Sequence, residues 1–405
     1  MLPRLFNRFA SGLCALAAMW AHAAIAEPEQ FILFNLHWPS RSDDFAQISR
    51  EFKPVSGASV RVGASAIFSY LRQSREQSVA ELRQFLRRAH ETDIPVVVQL
   101  DGENWWNARP DLWNWWDTNQ PGYSPNNRTN VEWTSWLPED AIKIAWRNWG
   151  QQIRVLPPPN LMSPRYRAAC HEEMRVLIPM VLEWWQALPP EKKHLLVGIK
   201  LGHESSIGAN AWYYPDGNRL LDRPAGEDPT TGVKADELPA RGVAQIGYAA
   251  VKTAGLRTQG PITEADLAEV TRRHLEDLCR LAAKLGVPRE RLFTHAGGWK
   301  DNERLYQAAL NEFSCPGWSF YNHAADPGKD AGAQQALKRS SAPYWAAVEW
   351  LYQGPQETDL WRQAITATLS LPRCRYLCIF NYEPLRDREA ILKAVREVSQ
   401  KGPAL

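Results

Sequence analysis

Eight short apolar, β-branched runs separated by amphipathic stretches constrain this chain more than any other feature. The runs span 31–38, 59–63, 95–100, 195–201, 291–295, 318–322, 344–348 and 376–381. Helical periodicity marks 43–52, 77–92, 139–154 together with 166–188, 263–286, 302–313, 332–340, 357–371 and 387–400. Near-continuous apolar strands alternating with helices predict a parallel sheet covered by helices. Eight such units in order predict an α/β fold, the (β/α)8 TIM barrel. A doubly wound open sheet would present a glycine-rich nucleotide turn after its first strand; Asn35-Leu36-His37-Trp38-Pro39-Ser40 has no glycine. Helix starts are expected at Ser78, with Glu81 three residues on, and at Thr263, with Asp266 three residues on. Gly286-Val287-Pro288 reads as a helix stop.

The spacing is uneven. The third run ends near residue 100 and the fourth begins near 195; the fourth ends near 203 and the fifth begins near 291. Both crossovers far exceed one helix, so the elaboration is expected in the strand-to-helix loops after strands 3 and 4. Those loops build the active face of such barrels. No linker divides 27–405, which are expected to form a single barrel domain.

Residues 1–26 contain Arg4, Arg8 and no acidic residue, then an apolar run over 13–24 and Ala24-Ile25-Ala26. This is the pattern of a cleavable secretory signal, too short in its apolar part to span a bilayer, and it predicts a secreted or periplasmic protein. Cys14 follows Leu13 rather than a small residue, so no lipoprotein box is formed. The rest of the chain balances 45 basic against 45 acidic side chains, which argues against a nucleic-acid partner. No later apolar run is long enough for a membrane span. Five cysteines follow the signal: Cys170, Cys279, Cys315, Cys374 and Cys378. An odd number in an exported chain allows at most two disulfides. The connectivity is left open, with Cys170–Cys279, both on helical patterns, as one candidate pair, and Cys378, inside a strand, is expected as a buried thiol. No C-x-x-C pair exists, so no thiolate zinc site is expected.

In a parallel barrel the chemistry sits where strands end. Strand 4 runs into His203-Glu204-Ser205, and strand 7 into Val348-Glu349-Trp350. Two carboxylates facing each other across a barrel mouth are what glycoside hydrolysis needs, one as acid for the leaving oxygen and one as nucleophile or base. The position of these two glutamates resembles clan A, the large (β/α)8 clan of retaining glycoside hydrolases. The resemblance implies that Glu204 is the acid/base and Glu349 the nucleophile. It also matches Arg61, in Ser59-Val60-Arg61-Val62-Gly63, to the clan's arginine near the nucleophile, and Tyr321 to its strand 6 tyrosine. Two positions depart from the clan. His203 stands where an asparagine that binds the sugar 2-OH is usual, and Asn381-Tyr382-Glu383 replaces the usual strand 8 tryptophan.

Other strand ends are also polar: Asp101 on strand 3, His37 on strand 1, His295 on strand 5, Asn322-His323 on strand 6. Asp101 is read as a sugar ligand, as a third catalytic carboxylate, or as a cap for the turn that follows it. Nine of the chain's 19 tryptophans fall within 105–149, interleaved with Asn, Asp, Arg and Pro. Sugar rings have apolar faces and polar edges, which suits flat aromatic faces set among hydrogen-bonding groups. Trp105 and Trp106 are expected at the substrate, whereas Trp146 and Trp149 fit a helical packing pattern.

The function expected is therefore an exported glycoside hydrolase acting on an oligo- or polysaccharide, retaining by the resemblance, with no cofactor or metal. The catalytic pair is Glu204 and Glu349, and the binding set is Arg61, Asp101, Trp105, Trp106, His203, His295, Tyr321, Asn322 and Tyr382. Two other readings compete. One is a metal-dependent barrel hydrolase using His37, Glu204, His295 and His323. The other is a catalytically inactive barrel that binds glycan.

Overall fold

The computed structural model describes residues 30–40, 43–53, 55, 57–234, 242–297 and 303–403. The signal segment expected at 1–26 lies outside the described residues. Eight parallel strands close a barrel: β1 (Gln30–Leu36), β2 (Val60–Ser69), β3 (Val96–Asp101), β6 (Leu196–Ser205), β8 (Leu292–Ala296), β9 (Gly317–Phe320), β10 (Trp345–Trp350) and β11 (Cys374–Ile379). The ring closes where Phe31 pairs with Tyr376 on one side and with Arg61 on the other. Gly63 is needed at its position, because a Cβ there would sit 2.2 Å from the Pro95 carbonyl oxygen.

The barrel interior changes character along its axis. Its amino-terminal half is filled by Phe31, Leu33, Val97, Val197, Phe293 and Tyr376. Towards the mouth the strands bring in Asn35, Ser65, Gln99, Lys200 and His295, all buried. The outer faces of the strands, such as Ile32, Phe34, Val96 and Val98, pack with the helix faces into a second, larger core.

The helices follow the amphipathic pattern closely, from α1 (Asp44–Glu51) and α2 (Arg75–Thr92) to the last, over 389–401. Thr263 caps the helix over 264–284 in a capping box with Asp266, and Gly286 adopts the left-handed backbone beyond its end. The start expected at Ser78 is corrected. Ser74 is the cap, accepting from the Gln77 amide, and Ser78 is buried inside the helix.

A larger correction concerns 139–154. It forms an antiparallel hairpin of β4 (Ala145–Asn148) and β5 (Gln152–Val155), not a helix. Gly150, at φ +84°, makes the turn, and the Asn-Trp-Gly sequence there is a hairpin signal that the helical period of the tryptophans hid. The loop after β6 adds β7 (Ala211–Trp212) to this hairpin, pairing Trp146 with Trp212. The two long loops thus meet in a three-stranded sheet beside the barrel mouth. Between β5 and β6 lies a long helix (Pro164–Ala187), capped by Ser163.

The five cysteines beyond residue 26 are all buried free thiols, so the Cys170–Cys279 disulfide is not formed. The two thiols face different partners, Cys170 the Tyr70 and Tyr166 hydroxyls and Cys279 Ser314 and Asn311, and burial pushes each up to about 12. Among the described residues no helix is long and apolar enough to cross a membrane.

Candidate active site

A cavity of about 1080 Å³ opens at the carboxyl ends of the strands. Its walls carry the aromatic rings of Trp38, Trp105, Trp149, Tyr321 and Phe380, the amides of Asn35, Asn210, Asn322, Gln353 and Asn381, and the charged or ionisable groups Arg72, His203, Glu204 and Glu349.

Glu204 is placed by an irregularity of β6. Pairing with β8 shifts between Leu201 and Ser205, and within the shift Gly202 (φ +79°) and Glu204 (φ +52°) take left-handed backbone. Such a bulge re-aims a side chain, and a glutamate at positive φ is a sparsely populated state that surrounding structure must hold. Ser205 donates to Glu103 at 2.6 Å, and His274 faces the same carboxylate at 3.1 Å. These contacts anchor the strand end. Glu204 accepts from the Asn210 amide at 2.5 Å and the Ser319 hydroxyl at 3.4 Å. The indole of Trp149 is a further donor to it.

Glu349 stands at a second register shift, between Ala347 and Glu349 where β10 pairs with β9. The Tyr321 hydroxyl donates to its Oε1, and His295 Nε2 lies 3.8 Å from its Oε2. Both carboxyls are almost fully buried, at 6% and 5% exposure. Burial raises both above the ordinary glutamate range; the charge of Glu204 adds to the rise at Glu349, which is pushed up to about 8. Two interacting buried carboxyls titrate as a pair, and this pair retains a proton at neutral pH. Burial also drives the Tyr321 hydroxyl far above its usual range, so it stays a donor.

Beneath the pair lies Lys200, fully buried on β6. Its Nζ is 2.7 Å from His295 Nδ1 and 3.2 Å from His203 Nδ1. His295 Nε2 is in turn 2.8 Å from the Ser319 hydroxyl. Burial, followed by the Lys200 charge, holds both histidines well below their usual range and therefore neutral. A polar network from Gln99 through Asn35 to Asn381 closes the barrel mouth on the other side, with bonds of 2.7 and 2.6 Å.

The sequence-derived site residues divide. Glu204, Glu349, Trp105, His203, Tyr321 and Asn322 line the cavity. His295 lies just behind it, against Ser319 and Lys200. Four positions are corrected. Arg61 sits at the opposite end of the barrel, because β2 runs on to Ser69 and makes Arg61 its second residue; its guanidinium meets His194 there. Asp101 acts as a turn cap, its Oδ1 accepting from the amides of Glu103 and Asn104 at 2.9 and 3.2 Å and its Oδ2 from Ser69 at 3.1 Å. Trp106 is buried away from the cavity, its indole donating to the Pro157 carbonyl at 3.2 Å. Tyr382 is buried edge-on against Phe34, with centroids 5.1 Å apart.

Trp149, expected as a packing residue, lines the cavity instead, and Asn210, Ser319 and Lys200 were not singled out from the sequence. Lys200 left a signal, being the one charged residue in the apolar run 195–201. Trp149 left the Trp-Gly turn.

Among the described residues, His203, His295 and Glu349 form the group able to hold a metal ion, with ligand atoms within 4.8 Å of one another. The Lys200 ammonium already contacts both imidazoles, and its charge opposes a divalent cation there. His37 of the metal reading also lines the cavity, but its largely exposed ring pairs with Glu383 at 3.2 Å and is not part of that group.

Among solved structures, the chain is similar in shape to Bacillus subtilis mannanase man26, at 10% identity over 92% of this chain and 86% of that one, with a TM-score of 0.43. It is similar to PbGH5A, a glycoside hydrolase family 5 enzyme from Prevotella bryantii B14, at 8% identity over 93% and 98% of the chains, with a TM-score of 0.42. The YdhT protein of Bacillus subtilis scores 0.45 at 9% identity over 93% and 86%. No family model and no curated protein matches the sequence.

Proposed function

We propose that the protein is a glycoside hydrolase in which Glu204 and Glu349 cleave a glycosidic bond held in the mouth cavity. One observation carries this reading. Two buried carboxyls from the ends of the fourth and seventh barrel strands share one cavity whose walls alternate aromatic rings with amides. Aromatic faces suit the apolar faces of sugar rings, and amides suit their hydroxyls. The same two strand ends carry the glutamates of clan A, which the chain resembles at these positions.

The reaction follows the retaining scheme. The pair shares one proton; the reactive arrangement carries it on Glu204 and leaves Glu349, which accepts from the Tyr321 hydroxyl, as the carboxylate. Glu349 attacks the anomeric carbon while Glu204 passes its proton to the departing glycosidic oxygen, leaving an ester between the sugar and Glu349. Glu204, now ionised, takes a proton from water as the water oxygen attacks the same carbon. The sugar leaves with its configuration retained, and both carboxyls return to their starting states. Burial of Glu204 supports the acid role, since it favours the protonated form. The basic and then apolar segment 1–26, ending in Ala24-Ile25-Ala26, supports action outside the cytoplasm.

The test is reducing-end release from a broad panel of polysaccharides, followed by proton NMR of the first product anomer. Release by the wild-type protein, loss in Glu204→Gln and Glu349→Gln, and a retained anomer are expected. Binding of a glycan with no turnover would move the protein to the inactive, glycan-holding class.

A further inference from the structure

The buried ammonium of Lys200 has no part in the scheme above, and its surroundings give it one. An ammonium has three N–H donors and no acceptor. Each histidine nitrogen that meets it must therefore be the unprotonated one. Lys200 Nζ meets Nδ1 of both His295 and His203, at 2.7 and 3.2 Å. Both rings are buried, at 0% and 6% exposure, and burial and the lysine charge keep them neutral. Each proton then belongs on Nε2. For His295 this N–H faces the Ser319 oxygen at 2.8 Å, which leaves the Ser319 O–H to donate to Glu204 Oε1 at 3.4 Å. For His203, which lines the cavity, Nε2–H is the polar atom left for a ligand.

We propose that Lys200 is a positioning residue that fixes both histidines as neutral Nε2–H donors, one directed through Ser319 at Glu204 and the other offered to the substrate. The inference rests on the hydrolase reading for its meaning, and it narrows the substrate. An amide at position 203 would offer a donor and an acceptor, whereas His203 offers a donor alone. The group that meets it is an acceptor: a hydroxyl or carbonyl oxygen, or an anionic oxygen of the sugar.

The test reads the rings directly and needs no substrate, so its failure is separate from a failure of hydrolysis. Long-range proton–nitrogen correlation spectra of histidine-labelled protein at pH 7 report the tautomer of each ring, with His203→Gln and His295→Gln assigning the signals. Both rings are expected as Nε2–H. Lys200→Met removes the donor at nearly constant volume and is expected to lose the single tautomer at His295, His203 or both. Ser319→Ala, which leaves Lys200 in place, is expected to keep both rings Nε2–H. A wild-type ring found as Nδ1–H or as imidazolium overturns the proposal, whether or not Lys200→Met folds. Unchanged tautomers in a folded Lys200→Met overturn it as well.

Discussion

Replacing Glu349 by Gln is expected to stabilise the fold, by an amount that grows with pH. The carboxyl is 5% exposed, and burial together with the Glu204 charge pushes it from 4.5 up to about 8. A folded-state acid with a raised value binds its proton more tightly than the unfolded chain does. Its penalty is absent below pH 4.5, grows through the window from 4.5 to about 8, and is complete above it. Each pH unit inside the window removes about 1.4 kcal/mol, which is about 3 kcal/mol by pH 7. Glutamine has nearly the same volume, still accepts from the Tyr321 hydroxyl and never charges, so the variant escapes the penalty. Unfolding entropy of roughly 2.1 cal/mol/K per residue makes ~3 kcal/mol a shift of about 4 °C for a chain this long. The assay is thermal melting of wild type and Glu349→Gln at half-unit steps from pH 5 to 9. The melting temperatures should coincide near pH 5 and separate as pH rises, with the variant higher. Glu204→Gln should act in the same direction, because it also removes the charge that adds to the Glu349 shift. Parallel curves for wild type and Glu349→Gln would refute the claim that the two carboxyls are buried at a cost to stability, which is the mark of a functional site.

Four further outcomes follow from the placement of side chains. Trp149→Ala, which removes a cavity wall and an indole donor to Glu204, should weaken glycan binding and lower kcat, each roughly tenfold or more, in steady-state kinetics. Arg61→Ala, at the far end of the barrel, should leave kcat/KM within a factor of about two while lowering the melting temperature; a loss of ~100-fold would restore the site role that the structure denies it. Glu132, buried and pushed up to about 8 by burial, should give Glu132→Gln the same rising stability advantage between pH 5 and 8 in thermal melting. A thiol reagent should find none of the five buried cysteines quickly in the native protein and all five after denaturation; fewer thiols on denaturation would indicate a disulfide.

Much of the fold was legible because a parallel barrel writes itself twice, once in the apolar strands and once in the helix period between them. The two catalytic candidates were legible for the same reason, since Glu204 and Glu349 end apolar runs where the topology requires a mouth. The strand ends themselves were less so. β2 runs on through Ser69, past the end expected at Gly63, and this moves Arg61 from the mouth to the opposite end of the barrel. The hairpin at 145–155 was misread because Trp146 and Trp149 fall at helical spacing, and its pairing with Ala211–Trp212 joins loops that are distant in sequence. Trp105 and Trp106 are neighbours in sequence with opposite fates, one on the cavity and one in the core. Composition alone does not separate them, because an indole between a polar loop and a barrel end serves either purpose. The Lys200–His203–His295 cluster depends on contacts between β6 and β8, which no local pattern encodes.

The central claim is that Glu204 and Glu349 together cleave a glycosidic bond. The most direct measurement is release of reducing ends from a polysaccharide panel by wild-type protein, Glu204→Gln and Glu349→Gln under identical conditions. Turnover of at least one glycan by the wild type is expected, with a fall of about 10³-fold or more in each variant. Full activity retained by either variant, or no turnover of any glycan by the wild type, would contradict it.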